Sequence, residues 1–420
     1  MLSRQVTLFR EVQSFRLLAL ATVGSSFGTW LAFVALTIDV YDRTDSAVWV
    51  SALLIADFLP AILIGIAASS LVDRLPRRRL MIASDLGRVA IFAVLPFAND
   101  PGAIVALAAL AGFATGFFRP ALYAGLPNLL PDEDLPHANS LLQTIENVAW
   151  AIGPVLGGVL VAATGPDAAY WINAVTFLVS AALLAGIPDR LLQTAQAVGR
   201  GYWQDLADGF RLVRDSRALL TVLAAWNVVM LATAGANVAE VVLAKDTFDA
   251  GDFGYGLLVG VTGVGLALGS MLAASLLEHR ALATVYATSI GLVAVGMVGA
   301  AAAPNVWIAA VSVAVAGTGN GAAVVCNALL VQRGAPDELR GRAFTLLMSS
   351  NYVVLGIGMI AAGPLTNELG PRAVWAIAGA LAAVAALVGL LLARGLELRV
   401  RPADVQAAQS EAEPVETARL

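Results

Sequence analysis

A chain of 420 residues in which 59% are hydrophobic and only 13% charged lacks the polar surface of a soluble fold, where about a quarter of residues carry charge. One cysteine, Cys326, excludes a disulfide framework and a cysteine-based metal site, and two histidines, His137 and His279, leave no histidine cluster, so neither metal nor cofactor is expected. The net charge of −5 says less than the placement of the charges.

The first apolar run begins at Phe15, behind Arg4, Arg10 and Arg16, and is too long for the apolar stretch of a signal peptide. It reads as a membrane span. Eleven more follow, giving spans at roughly 15–40, 47–70, 79–97, 102–123, 138–163, 168–187, 218–243, 254–277, 281–302, 305–329, 340–365 and 372–393. Each is about long enough to cross ~30 Å of hydrocarbon as a helix, and no period-two alternation suggests a barrel. The expected organisation is a cytoplasmic N-terminus over 1–14, a six-helix bundle over 15–187, a cytoplasmic linker over 188–217, a second bundle over 218–393 and a disordered cytoplasmic tail over 394–420. In the linker, Trp203, Leu206, Phe210 and Val213 recur at helical spacing among Arg211, Arg214 and Arg217, which predicts an amphipathic helix on the inner membrane face. Positive charge sets the orientation: with the N-terminus inside, only Arg43, Lys245 and Arg372 fall outside, so both termini are expected in the cytoplasm.

The two bundles are related by a repeat at an offset of 205 residues. Pro131-Asp132-Glu133 matches Pro336-Asp337-Glu338, Leu141-Leu142 matches Leu346-Leu347, and Gly165-Pro166 matches Gly370-Pro371. Gly112, Gly116, Gly153 and Gly158 match Gly317, Gly321, Gly358 and Gly363. An offset worth six helices preserves orientation, so the halves are parallel repeats about an axis along the membrane normal, with a central cavity between them. The expected fold is all-α, twelve transmembrane helices in two pseudo-symmetric six-helix bundles.

Between spans two and three, Asp73, Arg74, Arg77 and Arg78 stand at the spacing of the signature loop of the major facilitator superfamily, which the segment resembles; Ser69 and Pro76 replace its two glycines. The resemblance implies an inner-gate latch in which Asp73 pairs with a cation at a neighbouring helix end, with Arg119 as the partner and Asp85 and Arg88 extending the network. Gly153-Pro154-Val155-Leu156-Gly157-Gly158 in span five looks like the antiporter motif of proton-coupled drug exporters. Physically, Pro154 removes a backbone donor and kinks the helix, and Gly153, Gly157 and Gly158 allow close helix contact. The acidic stretch, Ala138-Asn139 and the leucine pair ahead of that helix resemble the branch that contains macrolide, multidrug and siderophore exporters. The likeness covers nearly all of residues 14–393 and implies export by proton antiport and alternating access.

Intramembrane acids are costly and usually functional. Asp57 in span two and Glu146 in span five fall near mid-depth with no arginine at that level, and are the expected proton-coupling pair. Asp39 and Glu240 fall near outer helix ends, where a solvated rim acid is the plain alternative to a role in coupling. Trp30, Phe33, Asn147, Trp150, Trp226, Asn227, Asn237, Asn320, Asn327, Asn351 and Tyr352 are the candidate cavity lining, suited to lipophilic ligands. No phosphate-cradling loop and no nucleophile–base pairing stands out, so an enzyme is not expected. The basic loops follow from topology, not from nucleic acid. The expected partners are a small-molecule substrate, protons and membrane lipid. The expected form is a monomer in a bacterial inner membrane, with an uptake carrier as the rival reading.

Overall fold

The computed structural model describes residues 2–67, 75–192, 210, 212–214, 216–335 and 339–393. Among these there is no strand, and twelve helices are long and apolar enough to span a membrane. Numbered in chain order, the helices of spans one to six are Gln13–Thr44, Ala47–Ala67, Arg77–Val94, Pro101–Gly125, Leu135–Thr164 and Pro166–Ala185. Spans seven to twelve are Arg217–Thr247, Gly251–His279, Leu282–Ala302, Val306–Gly334, Arg340–Leu369 and Pro371–Ala393. The end that the arginine distribution puts outside is here called the outer end. A further helix, Leu2–Glu11, precedes span one and is tied to the residue that caps span five, Asp134, with which Arg4 pairs at 2.7 Å.

The repeat has a local cause at the outer turns. Gly165 and Gly370 both end a helix with φ of +79° and +82° and extended ψ, a region open essentially to glycine alone. The proline that follows each opens the next helix at its first turn, where the missing N–H has no helical partner to lose. A reversal this tight fixes spans five and six, and spans eleven and twelve, as antiparallel neighbours.

Packing repeats too. Span one rests on spans five and six, and span seven on eleven and twelve; span two rests on four, and eight on ten; span three rests on four and six, and nine on ten and twelve. Glycine brings several of these pairs to backbone contact, as where Gly116 meets span two and Gly321 meets span eight. The halves differ at span seven, which contains two π-helical turns, Val222–Trp226 and Leu243–Thr247, where span one is α-helical throughout. In the linker, residues 212–214 are helical, Val213 is buried and Phe210 is 60% exposed; Trp203, Leu206 and Arg211 lie outside the described residues, as does the tail from 394.

Candidate functional site

Two helix pairs close the outer end. Span five packs on span eight, and span eleven on span two. The repeat makes these one contact built twice: Gly158 lies on Gly256, and their counterparts, Gly363 and Ser51, lie on each other. A Cβ on Gly158 would stand 2.6 Å from the Asp252 carbonyl oxygen and 3.1 Å from the Gly256 Cα; one on Gly363 would stand 2.8 Å from the Val48 Cα. The Ser51 hydroxyl donates to the Met359 carbonyl at 2.7 Å, and at the matching place the Pro154 carbonyl faces Gly256. Gly153 and Gly157 face the other way, onto Trp30 and Leu31 of span one.

Above these seams the helix ends are tied together. The Tyr41 hydroxyl donates to Asp246, its neighbour by exactly one repeat length, so this bond straddles the axis between the halves. Lys245 pairs with Asp42 across the halves and with Asp252, at 2.7 Å, within its own. Asn367 accepts the Ala47 N–H at 2.9 Å and donates to Ser46 at 3.3 Å. Sequence reasoning passes over all of these except Lys245, noted only as one of three outer cations. The 205-residue spacing of Tyr41 and Asp246 was the available signal.

Toward the inner side the same faces part. Ala151, Val155 and Gly158 of span five meet span eight, and one helix face carries on inward through Asn147 to Thr144, which is exposed. On span eleven, Gly356 lies two turns inward of Gly363, and a Cβ there would meet nothing within 4 Å. Tyr352, one turn further, is 39% exposed. Among the described residues the helices are closed at the outer end and apart at the inner end.

The four candidate acids sit in four different settings. Asp57 lies about 15 Å along the helix from Ala47, at 1.5 Å per residue. It is half-buried, and among the described residues no hydrogen bond, ion pair or neighbouring charge reaches its carboxyl group. Beside it runs a chain of rings, Phe58 to Phe33 at 6.1 Å, Phe33 to Trp30 at 5.6 Å, and Trp30 stacked on Trp150 at 5.4 Å.

Glu146 corrects the expectation of an acid with no arginine at its level. Span five is longer than its apolar core, so Glu146 lies about 27 Å below Thr164, and Arg119 lies the same ~27 Å below Pro101. The two are level, and they form an ion pair. Asp39 and Glu240 correct the rim-acid reading, being 5% and 7% exposed. Asp39 accepts from Arg43 at 2.6 Å and from Tyr170 at 2.9 Å. Glu240 lies beside Tyr255, and its Oε1 is buried with no partner among the described residues.

Asp73 and Arg74 lie outside the described residues. Arg77 donates to the Ala124 carbonyl at 2.8 Å, and Arg78 pairs with Asp189 at 3.0 Å, so these cations bind the inner ends of spans four and six. Arg119 is taken by Glu146, not left free for Asp73. Nor do Asp85 and Arg88 extend a gate network: they bond each other at 2.5 Å, Ser180 donates to Asp85 at 2.7 Å, and Arg88 lies over the Phe118 and Phe177 rings. Both are buried, because three helices converge where the loop arginines do not reach.

The proposed lining divides between the halves. Trp30, Phe33 and Trp150 form the ring chain, and Asn147 accepts from Gln143 at 3.0 Å. Trp226, Asn327 and Asn351 wall a cavity in the C-terminal half. Asn227 is instead a tie to span eleven, donating to Ser350 at 3.1 Å. Asn237 and Asn320 are half-buried in spans seven and ten, away from that cavity.

A family profile described as transmembrane secretion effector matches residues 7–418. The multidrug efflux pump Tap of Mycolicibacterium fortuitum is 28% identical over 379 residues, covering 85% of this chain and 90% of that one. Macrolide efflux protein A of Streptococcus pyogenes is 22% identical, covering 83% of this chain and 88% of its own length. Among solved structures, a bacterial homologue of the iron transporter ferroportin in an inward-facing state matches with a TM-score of 0.74 at 15% identity, over 91% of this chain and 99% of that one. A bacterial homologue of the lysosomal transporter Spinster, inward-facing and unoccupied, matches at 0.71 and 13% identity, over 94% of this chain and 99% of that one.

Proposed function

The chain belongs to the transmembrane secretion effector family of major facilitator transporters, and from that premise we propose that it exports small lipophilic molecules from a bacterial cell by proton antiport and alternating access. The observation that carries this reading is Asp57: an unpaired carboxyl group at mid-depth, beside a run of four aromatic rings and beneath a closed outer seal. A carboxylate without a counter-charge is costly inside a bilayer, so Asp57 is the group over which a proton and a basic ligand compete. The inner opening lets a ligand enter from the cytoplasm. The ring chain offers it an apolar, polarisable wall.

Glu146 contributes differently. It is paired with Arg119, so a cationic ligand meets its carboxylate only by displacing that guanidinium, which ties the contact to span four. Asp57 is the acceptor, and the Glu146–Arg119 pair reports whether the inner vestibule is occupied. The relatives named for efflux support the outward direction. The protein acts as a monomer in the inner membrane, with both termini in the cytoplasm.

Everted vesicles carrying the chain test this. With Hoechst 33342 as probe, an imposed proton gradient drives dye accumulation, a protonophore abolishes it, and Asp57→Asn removes the gradient dependence while the protein still inserts. Gradient-driven accumulation by Asp57→Asn at the wild-type rate refutes the coupling.

A further inference from the structure

The repeat allows each residue of one half to be set beside its counterpart in the other, and one place differs in kind. In the N-terminal half the space between spans four and five is filled: Arg119 pairs with Glu146, and Tyr123, one turn on, lies against both. The residues 205 positions later are Val324, Asn351 and Ala328. An ion pair has become an aliphatic side chain and a carboxamide, and a phenol ring has become a methyl group. The indole of Trp226, which stands where the other half has Ala21, takes back only part of the volume given up. A cavity of about 140 Å³ opens there between spans seven, ten and eleven, with Trp226 and Leu347 completing its wall.

Among the described residues no charged side chain lines this cavity; its polar groups are two carboxamides and the indole N–H of Trp226. Asn327 stands where the other half has Leu122, and both its Oδ1 and its Nδ2 are buried with no partner among the described residues. Buried polar groups in native proteins are almost always satisfied, so a donor and an acceptor both left open ask for an explanation. Trp226 closes the π-helical turn Val222–Trp226, which span one lacks, and such turns recur at functional sites.

We propose that this cavity is a subsite for the transported molecule, taking an uncharged apolar group that carries an adjacent donor and acceptor, as a carboxamide does. The idea rests on the chain carrying small lipophilic molecules. The Asn327 carboxamide, whose two polar atoms are covered in this structure, turns into the cavity as the ligand enters, so that Nδ2 donates to the ligand carbonyl and Oδ1 accepts from the ligand N–H, while the indole of Trp226 with Val324 and Leu347 covers the apolar remainder. A charged group is rejected because no counter-charge lines the wall among the described residues and burying it unpaired is prohibitive. The two halves thereby present unlike walls to one molecule, ionic at Arg119 and Glu146, neutral here.

The test is equilibrium binding of 4-fluorobenzamide to the purified full-length protein, followed by fluorine NMR. 4-Fluorotoluene serves as the smaller control without the amide, and each ligand's partitioning into empty micelles is measured and subtracted. Wild type is expected to bind the amide at least tenfold more tightly than the toluene. Asn327→Leu loses that preference, and Ala328→Tyr, which places the ring carried by Tyr123 in the other half, abolishes binding. Asn327→Ala serves if the leucine variant elutes as aggregate. Amide affinity unchanged in the Asn327 variant, or retained in Ala328→Tyr, overturns the proposal. The readout needs no proton gradient, so binding that follows this pattern supports the subsite even where gradient-driven export fails, and that failure counts against the exporter reading alone.

Discussion

The seam at Gly158 offers the sharpest test of the closed outer end. A methyl group there meets backbone on every side: the Asp252 carbonyl oxygen at 2.6 Å, the Gly256 Cα at 3.1 Å and the Gly256 nitrogen at 3.3 Å. None of these is the far end of a flexible side chain, so span eight must move as a body. Overpacking of this kind costs about 1–3 kcal/mol. The strain exists only while the seam is shut, so Gly158→Ala lowers the closed-to-open ratio by about 5- to 150-fold. Spin labels at Asp45 and Asp249, both exposed at the outer ends of spans one and seven, report the gap by pulsed dipolar spectroscopy. The only native cysteine is buried and does not compete for label. A longer-distance population should appear in Gly158→Ala. An unchanged distribution in a variant of wild-type thermal stability would refute the argument that this contact holds the outer end shut.

Lys245→Met removes two ion pairs of the outer tie, each worth roughly 0.2–1 kcal/mol when partly solvated; the same labels should show a smaller shift toward open than Gly158→Ala gives. Asp85→Asn leaves Arg88 buried without its counter-charge and is expected to cost about 3–5 kcal/mol, read as a large fall in Tm with the outer distance distribution of the remaining folded protein unchanged. Gly165→Ala forces a side chain into a region that only glycine adopts and should cost about 1–3 kcal/mol, whereas Gly87→Ala, where a Cβ meets nothing within 4 Å, should not destabilise.

The fold was legible because its signals are periodic and local. Apolar length gives a span, and Gly-Pro at 165–166 and 370–371 recurs because one backbone conformation and one helix start demand those residues. The site was legible only in part, because depth is not a sequence quantity. Glu146 looked central when counted from the first apolar residue near 138. Counted from Thr164 it lies low, level with Arg119, and the ion pair follows from that. Asp39 and Glu240 looked like rim acids from their position near helix ends. Neighbouring helices bury them instead, Asp39 against Tyr170 of span six and Glu240 beside Tyr255 of span eight, and no single-helix pattern announces such contacts. Asp57 was readable because its isolation is local: the apolar residues around it in span two leave no charge within reach.

What the duplicated bundle keeps and what it abandons follow from what each part must do. A seam that opens and shuts about a central axis must do so on both sides at once, and the two seams retain matching positions, 158 with 256 and 363 with 51. The chemistry has no such need. The counterpart of Asp57 is Thr262, that of Glu240 is Ala35, and that of the Arg119–Glu146 pair is Val324 with Asn351. A second set of unpaired acids would add its own burial cost without adding a second pathway. A cavity with one charged wall and one neutral wall also orients an asymmetric molecule, which two identical walls could not. Divergence therefore concentrates on the faces that the proposed function assigns to ligand and proton, and symmetry survives where the backbones touch.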